Sequence, residues 1–171
     1  MLRILNKLRK IGVVTEPLPD HAAPVLEEIG AQLREAIGAQ FRGSLAIRHV
    51  DAGSCNGCEL EIHALNNPVY DIERFGVHFV ASPRHADMLL VTGPVSRHME
   101  AALRRTYDAT PAPKLVIAVG DCGADGGEFG CSYASHGGVG SVIPVDAVIR
   151  GCPPTPQHLM LGILEAIRHR R

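Results

Sequence analysis

The 171-residue chain carries almost no net charge. A formal balance of −1 leaves no basic field for neutralising phosphates, which excludes capture of DNA or RNA by electrostatics. No apolar run reaches the ~20 residues that a membrane-crossing helix needs. The start lacks the apolar stretch and small-residue cleavage site of a secretory signal, so a cytosolic chain is expected. Internal repeats and low-complexity tracts are missing too. With 46% hydrophobic and 20% charged residues, disorder over most of the length is excluded. A chain of this size buries roughly 70% of its unfolded surface, enough for one substantial core. The nine histidines offer no H-x-x-x-H pair on a convincing helix, so a histidine metal site has no support.

Cysteine is scarce, and its placement is the strongest signal. Five is an odd number, and in a reducing compartment the default is metal binding or catalysis. Cys55 and Cys58 form the single close pair, in Ser54-Cys55-Asn56-Gly57-Cys58-Glu59. Cys122 stands in Gly120-Asp121-Cys122-Gly123, and Cys152 in Gly151-Cys152-Pro153-Pro154. Four thiolates suit either structural zinc or a cubane iron–sulfur cluster. Zinc sites usually come as two close pairs, whereas here 63 residues separate Cys58 from Cys122 and 29 separate Cys122 from Cys152. Proline after the last cysteine favours a cluster. A redox disulfide between Cys55 and Cys58 would leave Cys122 and Cys152 without a role.

Hydrophobic patterning places these cysteines on a scaffold. Residues 1–12 set Leu2, Leu5, Leu8 and Ile11 against Arg3, Lys7, Arg9 and Lys10, a basic amphipathic stretch suited to docking on a protein partner or to lying on an anionic membrane surface. Pro17, Pro19 and Pro24 mark a linker, and Val25, Ile29, Leu33 and Ile37 predict a helix from about Ala23 to Gln40. Strands are predicted at Leu45–Val50, Val77–Val80, Met88–Thr92, Leu115–Val119 and Ala147–Ile149. Helices are expected from Glu59 to about Asn66, after Ser96 through Met99, Leu103 and Tyr107, and after a Thr155-Pro156 cap through Leu159, Ile163 and Ile167. Alternation of this kind implies a doubly wound parallel α/β sheet, preceded by a helical arm at 1–44. Ligands in such sheets sit beyond the carboxyl ends of the strands, and Cys55, Cys122 and Cys152 all follow predicted strands.

The pattern Cys55-x-x-Cys58-Glu59, Gly120-Asp121-Cys122, Gly151-Cys152-Pro153-Pro154 resembles the small subunit of nickel–iron hydrogenases and its relative in respiratory complex I, over roughly residues 45–170. The resemblance implies a flavodoxin-like iron–sulfur domain at 45–171 and one [4Fe-4S] cluster held by Cys55, Cys58, Cys122 and Cys152. Complex I subunits carry adjacent cysteines at the first motif, so Cys55-Asn56-Gly57-Cys58 places the chain with the hydrogenase branch. Its brevity is similar to the membrane-bound multisubunit enzymes of the formate hydrogenlyase type. The resemblance implies an electron relay with no complete active site of its own. Its partners would be a nickel–iron large subunit, a ferredoxin-like iron–sulfur subunit and integral membrane subunits, at the cytoplasmic face of the inner membrane. A complex I-type subunit serving quinone is one alternative, and a zinc-stabilised interaction module is another.

Three further residues carry expectations. Glu59 is either an interface or proton-route residue, or an exposed carboxylate at the positive end of a helix. His63, four residues on, is expected to lie outside the site. Cys131, the leftover thiol, is expected to be buried and inert. Glycines 120, 123, 126, 127 and 130 are expected to let backbone approach sulfur, because they carry no Cβ.

Overall fold

The computed structural model describes residues 22–169, so the amphipathic stretch at 1–12 and Pro17 and Pro19 of the linker lie outside the described residues. Helix α1 spans Ala22–Phe41. Pro24 falls in its first turn, where no amide needs an intrahelical partner, and so it does not interrupt the helix. Ile29, Leu33 and Ile37 are buried as expected, but Val25 is 45% exposed and Leu26 takes its place at 6%. A strict four-residue step drifts about 40° per turn around a 3.6-residue helix, and over three turns Val25 leaves the apolar face.

The strands are β1 (Leu45–Asp51), β2 (Val77–Phe79), β3 (Met88–Thr92), β4 (Leu115–Val119) and β5 (Ala147–Ile149). All pair in parallel, in the order β2-β1-β3-β4-β5, which is the flavodoxin-like order. Every residue of β3 and β4 is buried, as continuous apolar runs covered on both faces require. One face packs on α1 and on α5 (Pro156–Arg168), through Leu33, Ile37, Leu159 and Ile163. The other packs on α3 (Glu100–Ala109) and on Val139, Val142 and Ile143. Thr155 caps α5 as expected, its hydroxyl accepting from the His158 amide at 3.3 Å. Ser96 instead serves the turn before α3, accepting from the Met99 amide at 3.3 Å, and the helix begins only at Glu100. Among the described residues no helix is long and apolar enough to cross a membrane.

Two carboxylates set register between neighbouring strands. Asp87, just before β3, accepts from the Ala46 amide of β1 at 3.0 Å, and Asp146, just before β5, accepts from the Val116 amide of β4 at 2.7 Å. Each also joins the same neighbour through its own main-chain N–H, to Ala46 at 2.8 Å and to Val116 at 2.9 Å. Asp146→Ala removes the acceptor for an amide on a residue that is 1% exposed. The expected cost is about 1–2 kcal/mol, read in thermal unfolding as a fall of a few degrees in Tm.

Candidate metal centre

The segments after β1, β4 and β5 leave the same edge of the sheet because the strands are parallel. After β1 the chain turns on Asp51, whose Oδ1 accepts from the amides of Gly53 and Ser54 at 2.8 Å each. Burial pushes this carboxyl's pKa up, but the hydrogen bonds of Ser54 and Gly53 outweigh it and hold the group below its ordinary value. Asn56 then takes a left-handed conformation, φ 72°, as the N-cap residue of α2 (Gly57–Ala64). Asparagine tolerates that region better than most residues. The spacer thus leaves Cys55 ahead of the helix and turns Cys58 into its first turn.

Cys122 sits in a short helix, α4 (Gly120–Asp125), that starts directly at the end of β4. No helix is expected here from the sequence, since six residues are too few to show a helical period. Cys152 follows β5 and Gly151, ahead of a cis bond to Pro153. The two segments hold each other: the Asp121 amide donates to Gly151 O at 3.0 Å, and the Gly151 amide donates to Asp121 Oδ1 at 3.2 Å. Arg150 adds an exposed ion pair to Asp125 at 2.6 Å.

Cys55, Cys58, Cys122 and Cys152 together line one cavity of about 40 Å³. Tertiary structure therefore brings all four expected ligands together. Among the described residues no group of three or more His, Cys, Asp or Glu side chains is placed as it stands to hold a metal ion. Burial, then Glu59 and the other three thiols, push the Cys58 thiol up to about 12. Cys122 is raised by burial and by Cys152 and Cys55, against a peptide hydrogen bond from Glu128. Thiolates crowded in this way are stabilised by a cationic centre, whose binding displaces their protons.

Glycine makes room at the sulfurs. A Cβ on Gly120 would stand 2.7 Å from Cys58 Sγ, and one on Gly127 would stand 2.9 Å from Cys122 Sγ. Both residues have positive φ, 78° and 49°. The expectation of close approach therefore applies to these two. Gly130 has nothing within 4 Å of its Cβ position.

Glu59 is 7% exposed, which overturns the reading of it as a solvated helix-start carboxylate. Neither of its carboxylate oxygens has a hydrogen-bond partner, and His49 Nε2 stands 3.7 Å from Oε1. His49 also lies 3.0 Å from Thr92 Oγ1 across the β1–β3 pairing. Burial, aided by Arg48 and His63, holds the His49 pKa below its ordinary value against the pull of Glu59 and Asp51. Sequence reading missed His49, because a histidine within a strand carries no mark of what faces it. The expectation of a buried Cys131 is also overturned: it is exposed and belongs to neither core layer, on a segment whose main-chain bonds to residues 95–97 run through Ala134, His136 and Gly137.

The family described as NADH ubiquinone oxidoreductase, 20 Kd subunit, matches residues 55–166. The chain is 42% identical over 142 residues to formate hydrogenlyase subunit 7 of Escherichia coli (strain K12), covering 83% of this chain and 56% of that protein. It therefore spans little more than half the length of that relative. It is 48% identical over 119 residues to a probable membrane-bound hydrogenase subunit, mbhJ, of Pyrococcus furiosus, covering 70% of this chain and 71% of that one. Among solved structures, a chain of the membrane-bound sulfane sulfur reductase, an archaeal respiratory membrane complex, matches with a TM-score of 0.65 and 33% identity, covering 84% of this chain and 74% of that chain.

Proposed function

The chain belongs to the family of the NADH ubiquinone oxidoreductase 20 kDa subunit, and from that membership we propose that it is the electron-transfer subunit of a membrane-bound hydrogenase complex, with one [4Fe-4S] cluster on Cys55, Cys58, Cys122 and Cys152. The observation that carries this reading is the single cavity lined by four cysteines from three separate segments. Bound there, such a cluster supplies one-electron transfer between centres. The chain's own residues supply four thiolates and the space beside two of them, at Gly120 and Gly127. Zinc fits less well. Zinc sites usually come as two close pairs, whereas here only Cys55 and Cys58 are close in sequence and Cys122 and Cys152 stand singly.

Exposed apolar side chains on the segments around the cysteines support a covered surface. Leu60 is 62% exposed, Phe129 58% and Tyr133 93%. The partner assigned to this surface is a nickel–iron large subunit, with a ferredoxin-like iron–sulfur subunit as the other electron partner. Attachment to integral membrane subunits, on the cytoplasmic face, belongs to the same proposal.

Anaerobic purification with iron, sulfide and zinc analysis tests the site, and electron paramagnetic resonance should show one reducible cubane per chain. Zinc without iron would sink the idea. Cys122→Ser should abolish the cubane signal and electron transfer. Loss of folding alone, with electron transfer intact in whatever protein folds, would favour a structural zinc module. The match to a quinone oxidoreductase family supports a second reading. Turnover of the intact complex that depends on quinone, with no hydrogen evolved or consumed, would select it.

A further inference from the structure

A second cavity, of about 280 Å³, opens past the end of β2 and shares no lining residue with the thiol cavity. Strand β2 stops at Phe79, opposite Ile47, while β1 runs on to Asp51 with that side open. Arg48 and His49, consecutive on β1, both reach the opening, and α2 contributes Ile62 and His63 beside Asn66. The volume lies near the lower end of small-ligand sites, ~300–1,000 Å³. The charge is one-sided: the lining holds a guanidinium, two imidazoles and a carboxamide, and no carboxylate. Glu59, 3.7 Å from His49, does not line it.

Arg48 is the unusual member. It is partly buried, its Nε is buried with no hydrogen-bond partner, and it enters no ion pair among the described residues. Two exposed arginines do have partners: Arg74 pairs with Glu27 at 2.8 Å, and Arg34 donates to Arg74 O at 2.6 Å. Withdrawing a cation from water without a counter-charge is unfavourable. An anion in the cavity would supply that counter-charge. A guanidinium fork matches two oxygens of one oxyanion, while a neutral imidazole and a carboxamide each donate N–H bonds.

We propose that this cavity binds a small oxyanion, phosphate or a short carboxylate, anchored by Arg48 with His49, His63 and Asn66 as further donors. The site is independent of the cluster assignment, since no cysteine lines it.

The test is a titration of the anaerobically purified full chain with inorganic phosphate, and separately with acetate, each against chloride at matched ionic strength. A saturable rise in Tm is expected, about 3–6 °C at ten times Kd. Saturation with phosphate alone identifies a tetrahedral oxyanion, and with acetate alone a carboxylate. Arg48→Met should lose the saturable part, and Arg48→Lys should keep some of it. A rise that never saturates, or is unchanged in Arg48→Met, is the general effect of excluded salts and overturns the proposal. So that a poorly folded variant does not decide the matter, the His49 and His63 ring resonances of the unaltered chain should shift along the same binding curve. Rings that do not move with either anion would also overturn it.

Discussion

Gly120→Ala is expected to strip the iron of the proposed cluster from the protein while leaving the sheet folded. Gly120 joins β4 to α4 at φ 78°, and a Cβ there would stand 2.7 Å from Cys58 Sγ and 3.3 Å from Gly151 O. The backbone term alone is modest, about 1–2 kcal/mol for an L-residue in the left-handed region. The collision is the larger effect, because it falls on the sulfur of Cys58, a proposed cluster ligand, and on the segment that carries Cys152. Supporting groups around a metal typically change affinity about 10–100-fold, and a loss at the upper end of that range is expected. Iron and sulfide analysis reads the loss, and far-ultraviolet circular dichroism checks the fold. Gly130→Ala is the control: φ is 55°, yet nothing lies within 4 Å of the added carbon. It should show strain without loss of iron. Full iron content in Gly120→Ala would mean that Cys58 does not close on a shared centre beside Gly120.

The five thiols should separate into three classes on alkylation. In iron-free protein at pH 8, Cys55, Cys131 and Cys152, all exposed, should react readily with iodoacetamide. Cys58 is half-buried and pushed up to about 12, from an ordinary 9.0. The thiolate is the nucleophile, so a three-unit rise lowers its reactive fraction roughly a thousandfold. Cys122 should fall between, since its burial and thiol neighbours raise it against the Glu128 peptide bond. With the cluster in place, the four ligands should all be protected and Cys131 alone should react. Mass spectrometry of the labelled peptides separates these outcomes. Fast labelling of Cys58 without iron would contradict its place in the cavity, and fast labelling of Cys152 with iron would remove it from the ligand set.

Much of the fold was legible because apolar runs report burial directly. Met88–Thr92 and Leu115–Val119 are strands over the expected residues, each fully buried, since no other element places a short continuous apolar run between two helical layers. Errors arose where the local signal is weak. Val25 was misplaced because a four-residue step only approximates the helical period. Helix α4 is too short to show any period, and Ser96 caps a turn because the next helix starts later than its hydroxyl suggests. Cys131 looked like a small hydrophobe, and only the tertiary structure shows it outside both core layers.

The site divides in the same way. Residue identity and neighbours marked Cys55, Cys58, Cys122 and Cys152, because one close cysteine pair and a proline after the last cysteine fit a cluster pattern. The family followed from that pattern and from the Asn56-Gly57 spacer. Only tertiary structure showed the four thiols around one cavity, Gly120 against Cys58, Glu59 buried beside His49, and Arg48 without a counter-charge. Chemistry carried by single side chains is written in the sequence. Distance, burial and missing partners depend on segments far apart along the chain, and the parallel sheet creates them when it gathers strand ends on one edge.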